Sequence, residues 1–179
     1  MMKKLIMLIA LVCLPLMASA QGIFDRYEDE KDVTSVVVTK NMFKLLAKID
    51  IESDDAEVQE YMDMVNNLDN IKVFMTENKS VGARMKGDVQ SYISKSKGLE
   101  ELMRVKDDGK NVKFYSKEGK DENHVSELLM FLDGEMDGKE GTVVMSITGD
   151  IDLKQISKLT KQLNVPGSDE LKNVENKKN

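Results

Sequence analysis

The residues whose spacing points most directly to chemistry lie near the end of the chain, in FLDGEMDGKEGTVV, Phe131 to Val144. Asp133, Glu135, Asp137 and Gly138 stand where a calcium-binding loop places its first three oxygen ligands and its glycine. Such a loop closes its coordination shell with a bidentate Glu at the twelfth position, and counting from Asp133 that position is Val144. Loops of that kind also sit between helices, whereas the apolar flanks of this one read as strands. The spacing therefore leaves Asp133, Glu135 and Asp137 as metal candidates only for a calcium-dependent module. It favours an exposed hairpin connection, with Gly134, Gly138 and Gly141 supplying the turn geometry and the acids holding it in water.

Other reactive constellations are missing from the sequence. His124 is the only histidine, placed by DENH in a polar loop, and Cys13 is the only cysteine. A Ser-His-Asp or Cys-His arrangement and a histidine-based zinc site are therefore not expected. With 32 acidic residues a hydrolase using carboxylates alone is the enzymatic alternative, but no pair stands out from ordinary solvated faces. The glycines are scattered singly and form no phosphate cradle. Nine of the thirteen methionines follow residue 20, and their thioethers would suit copper(I). Most of them fall on apolar stripes, where Met fills gaps in a core. The reading is a non-enzymatic domain with no cofactor.

The N-terminus indicates where such a domain would act. Lys3 and Lys4 precede an apolar run from Leu5 to Met17, and Ala18-Ser19-Ala20 has the small-x-small form of a cleavage site. Residues 1–20 read as a secretory signal peptide cleaved near Ala20-Gln21, which would leave the protein in the periplasm or outside the cell. The run spans roughly 20 Å as a helix against a hydrocarbon core of about 30 Å, and no comparable run follows, so stable membrane insertion after cleavage is not expected. Leu11 and Val12 precede Cys13 where a lipoprotein signal would have a small residue. Setting aside Lys3 and Lys4 leaves 24 basic against 32 acidic residues, a net charge of −8, with the two signs interspersed. That balance argues against nucleic acid and against anionic lipid as partners.

The remaining chain reads as one domain over 21–166, followed by a polar tail, 167–179, expected to be disordered. VTSVVVTK, β-branched and short, reads as a largely buried strand. Met42, Leu45, Leu46 and Ile49 mark a helix after it, Asp54 to Asn67 a second, IKVFMTE a strand, and Asn78 to Lys95 a third helix. Two short alternating runs joined at Asp108-Gly109, then VSELLMFLD and GTVVMSITG, read as four consecutive strands, and Asp152 with Gln155 caps a last helix. The order β-α-α-β-α-β-β-β-β-α predicts an α+β fold, a mainly antiparallel sheet with helices packed on one face. The other face would be open, and Lys113 and Tyr115, pointing away from Val112 and Phe114, would be its candidate interaction residues.

DVTSVVVTKNMFKLL, LLMFLDG and VVMSITGDIDLKQISKL resemble the exported proteins of Gram-negative bacteria grouped as domain of unknown function 4252. The resemblance covers nearly all of the chain after residue 20. It implies a single exported domain, carries over no catalytic residue, and implies a role in envelope signalling or stress. The partner expected is an unknown envelope protein or a small envelope ligand.

Overall fold

Leu128, Leu129, Met130, Phe131 and Leu132 are all buried. Successive side chains of a strand point to opposite faces, so a strand buried along such a run needs cover on both sides. The computed structural model, which describes residues 22–46, 56–107, 109–136 and 138–153, shows how that cover is built.

A 3-10 turn at Asp25–Tyr27 leads into β1 (Thr34–Thr39), α1 (Lys40–Leu46), α2 (Ala56–Asn66), β2 (Leu68–Thr76) and α3 (Lys79–Lys95). Then come β3 (Leu99–Asp107), β4 (Lys110–Glu118), β5 (His124–Met136) and β6 (Lys139–Asp152). The strands form one six-stranded sheet in the order β1-β2-β6-β5-β4-β3, and every neighbouring pair is antiparallel. The α+β class, the antiparallel sheet and the element order through β6 are as the sequence predicts. The capping residue Asp54, the signal segment 1–20, the last helix beyond Leu153 and the tail 167–179 lie outside the described residues.

The helices are not confined to one face, which corrects the layer arrangement predicted above. Phe43 of α1 and Met64 and Val65 of α2 pack on one face of the sheet, against Phe114, Leu128, Met130 and Met145. Val81, Met85 and Val89 of α3 pack on the other with Phe74, Leu129, Phe131 and Val144. The physical reason is the β5 run: alternate residues of LLMFL enter the two clusters, and neither set can be left in water. A segment ahead of β1 completes the second face. Tyr27 is fully buried, its hydroxyl donates to Asp88 of α3, and its ring lies beside Phe74. Lys72 Nζ reaches Asp25 Oδ1 at 2.5 Å and Glu28 Oε1 at 2.8 Å, which pins the same segment to β2.

β1 is the second correction. Its β-branched composition predicts burial, yet Val36 is 51% and Val37 36% exposed, because β1 is an edge strand that pairs, among the described residues, with β2 alone.

The approach of α3 depends on Gly82. A Cβ there would lie 2.6 Å from Thr142 Oγ1 and 3.3 Å from Thr142 Cβ, and Thr142 is itself buried, so the helix would have to lift from the sheet. Gly87, one helical face away, has nothing within 4 Å of such an atom. Gly87→Ala is expected to raise stability by about 0.5–1 kcal/mol through helix propensity. Gly82→Ala is expected to lower it by about 1–3 kcal/mol through overpacking, despite the same gain in propensity. Urea unfolding of the two variants checks the contrast; equal shifts of the same sign would remove the close-packing account.

Candidate functional site

At the end of the sheet beneath the start of α3, four polar residues stand side by side on neighbouring strands. Thr76 of β2 faces Thr142 of β6, Thr142 faces Asp133 of β5, and Asp133 faces Asn111 of β4. They line a groove of about 440 Å³, with Asn78, Gly82 and Lys86 contributed by α3 and its cap. The start of α3 is fixed by Asn78, whose Oδ1 accepts from the N–H groups of Ser80 and Val81 at 3.0 and 3.3 Å. Thr76 Oγ1 donates to the Asp32 carbonyl at 2.6 Å and accepts from the Asn78 N–H at 3.1 Å.

The charges in and around this groove are matched. Lys86 Nζ lies 2.7 Å from Asp133 Oδ2, Lys79 Nζ 2.6 Å from Glu140 Oε2, and Lys139 Nζ 3.0 Å from Glu77 Oε2. Thr142 Oγ1 also donates to Asp133 Oδ1 at 3.4 Å. Each of these carboxylates thus already has an ammonium partner, and Asp133 a hydroxyl donor as well.

The acidic hairpin is organised differently from the sequence expectation. β5 continues to Met136 and β6 begins at Lys139, so Asp133 and Glu135 are strand residues and not part of a long connection. Asp133 faces Thr142, and Glu135 faces Glu140. Gly134 allows this continuation: its φ is +146°, and a Cβ would meet the Gly109 carbonyl oxygen at 2.3 Å, so the β3–β4 turn rests directly on β5. Asp137 lies outside the described residues. Among the described residues no group of three or more His, Cys, Asp or Glu side chains is placed to hold a metal ion.

Lys113 and Tyr115 do share the face opposite Val112 and Phe114. That face is not open at Tyr115, which is buried in the cluster under α3, while Lys113 is half-buried. The expected open interaction surface is therefore corrected at this position, for the same reason that the helices occupy both faces. His124 opens β5 with its Nδ1 2.6 Å from Asp121 Oδ1, a contact that lowers the Asp121 carboxyl below its ordinary range.

A family model described as a domain of unknown function, DUF4252, matches residues 27–159. The chain belongs to that family. No curated protein and no solved structure matches it. The match spans everything from the buried Tyr27 through β6, so the DUF4252 domain includes the segment ahead of β1.

The two edges of this DUF4252 sheet differ. β3, LEELMRVKD, carries Glu100, Glu101, Arg104 and Lys106 and has a register irregularity between Glu101 and Met103, both devices that discourage pairing with another chain. β1, TSVVVT, is uncharged and pairs with β2 without a register shift. Its exposed Val36 and Val37 project to opposite faces, and among the described residues Met42, Leu45 and Met75 are the other large apolar side chains exposed. Sequence reasoning missed this edge because β-branched runs signal strands without indicating how many neighbours they have.

Two predictions test the site chemistry. Millimolar calcium is expected to leave the melting temperature unchanged, since Asp133 already faces Lys86; a saturable rise in a thermal scan would reinstate a calcium site. The second concerns Tyr92 of α3, whose hydroxyl donates at 2.7 Å to the buried Glu127 carboxylate. Burial and then that hydrogen bond push the Tyr92 phenol up to about 12. The folded state therefore holds this proton more tightly than the unfolded chain, where tyrosine titrates near 10. Its contribution is fully present below about pH 10 and is lost as pH rises toward 12. Tyr92→Phe is expected to lower stability at neutral pH by about 1–3 kcal/mol, by leaving the carboxylate without its donor, and to flatten the loss above pH 10. Urea midpoints measured from pH 8 to 11 check both effects.

Proposed function

We propose that this chain is an exported, non-enzymatic interaction domain of the cell envelope that engages a protein partner along β1. The observation that carries this reading is the exposure of Val36 and Val37 on an uncharged edge strand whose outer backbone groups have no neighbouring strand among the described residues. An extended segment adding to such an edge gains main-chain hydrogen bonds, and its alternate side chains meet Val36 on one face and Val37 on the other. The charge-bearing β3 edge supports the choice of β1 by contrast. The basic partners of Asp133, Glu140 and Glu77 support binding over carboxylate chemistry. Lys3, Lys4, the apolar run and Ala18-Ser19-Ala20 support export to the periplasm.

A photo-activatable phenylalanine analogue placed at position 37 in cells tests the reading. Covalent adducts are expected there, are expected to disappear when Val36→Lys is added, and are not expected from the same group at position 104 on the β3 edge. Adducts of equal yield at both edges, or none at position 37 in a folded chain, would sink the proposal.

A further inference from the structure

We propose a second interaction surface, on the face of β3 and β4 beside α3, that takes a short acidic segment of a protein partner. It stands apart from β1, which forms the opposite edge of the sheet.

Register places the surface. Arg104 stands opposite Lys113, and Lys106 opposite Asn111. Val112 and Phe114, their neighbours along β4, enter the cluster beneath α1 and α2, so these four side chains emerge together on the α3 face. Side chains directly opposite leave the backbone about 5 Å apart, and alternate residues along a strand about 7 Å apart. Three cationic groups and one amide therefore share a small patch.

The other lysines on described strands have partners. Lys72 contacts Asp25 and Glu28, and Lys139 contacts Glu77. Lys106 and Lys113 meet no carboxylate among the described residues, and Arg104, which reaches Glu101 Oε2 at 2.7 Å through one nitrogen, keeps further donors. Protection of an edge strand accounts for Lys106 but not for Lys113, because β4 lies between β3 and β5. A half-buried cation set directly across from another is unfavourable in the free chain, and an anion between the two removes that repulsion. Asn111 adds a group that both donates and accepts. Its Oδ1 is buried without a donor among the described residues, so the amide breaks no bond at that oxygen when it turns toward a guest.

Scale selects the occupant. The chain as a whole is acidic, so a membrane surface or a nucleic acid, extending well past the patch, would meet the repulsion of the entire molecule. A short segment meets only the charges within a Debye length, about 8 Å at physiological ionic strength. In an extended peptide, carboxylates at alternate positions lie on one side about 7 Å apart, which matches the step from the rung of Arg104 and Lys113 to that of Lys106 and Asn111. The peptide groups between them offer N–H and C=O to the Asn111 amide. The chemistry recognised is an acidic residue, any residue, then a second acidic residue, in extended form.

Titration of the isotope-labelled whole protein with a blocked Glu-Ser-Glu-Ser-Glu peptide, followed by NMR, tests the assignment. Saturable amide shifts are expected at Lys106, Asn111 and Lys113, and they are expected to weaken with added salt. Lys113→Glu and Lys106→Glu are each expected to raise the dissociation constant about tenfold or more, and Lys95→Glu, at the exposed end of α3, about twofold or less. Thermal melts identify folded variants, and Lys106, fully on the surface, reports on the site even where Lys113→Glu fails to fold. The proposal would be overturned by the absence of saturable shifts, by equal shifts with the Gln-Ser-Gln-Ser-Gln peptide, or by equal weakening with Lys95→Glu. It would be overturned as well if inorganic phosphate, or vesicles of phosphatidylglycerol, bound through Lys106 and Lys113 as tightly as the peptide. The cross-linking test of β1 is independent, because position 37 lies on the opposite edge and the aromatic analogue at position 104 removes one cation of this surface.

Discussion

The buried pair β5 and β6 is the constraint from which the rest of the structure follows. Leu128 to Leu132 on one strand and Thr142 to Ile147 on the other are buried residue after residue. A strand in that state has no solvent side, so the chain must bring apolar cover to both faces of the sheet. The cover is split between unlike sources: α1 and α2 on one side, α3 and the segment around Tyr27 on the other. Gly82 lets α3 sit close enough to seal its side, and the Tyr27 hydroxyl ties the N-terminal segment to that same helix through Asp88. The groove at the end of the sheet is a by-product of this packing, lying where the polar row Thr76, Thr142, Asp133 and Asn111 runs out from under the helix.

Much of this was legible in the sequence, and the parts that were not share a cause. The helical spacing of Val81, Met85 and Val89 marks α3 in the sequence, and the structure adds Asn78 as its cap. Strand identities held because alternation and β-branching are local properties. The number of neighbours a strand has is not local. VTSVVVT carries the composition of a central strand and sits at an edge, while LLMFL shows no alternation for the opposite reason, being covered twice. The continuous apolar run was the available signal for two-sided cover, and it was outweighed by the simpler picture of a meander with one open face. Tyr115 is buried under α3 for that reason.

The acidic stretch shows the same distinction at the scale of a site. Residue types and spacing matched half of a calcium loop, but spacing along a chain has meaning only in a given backbone form. In a strand, Asp133 and Glu135 are separated by a full pleat and are each engaged with β6, Asp133 opposite Thr142 and Glu135 opposite Glu140. Lys86, from a different element entirely, provides the counter-charge to Asp133. No local pattern could have announced that partner, since it depends on how α3 is laid across the sheet.

The way β2 is inserted into the sheet has a consequence for how the chain reaches its native state. β3 to β6 follow one another as a meander and can form from neighbouring hairpins, whereas β2 joins them only through β6, with Thr76 opposite Thr142 and Leu68 opposite Gly149. The first two strands are thus made early and anchored late. Until the residues around 142–149 have been synthesised, the β1–β2 ribbon has no sheet to join, and closing so long a loop is the slow kind of step. In that interval β1 and β2 have only each other to pair with, and a two-stranded ribbon is marginal by itself. The half of the domain that carries its barest edge in the finished fold is also the half that must wait longest for protection while the fold is being made.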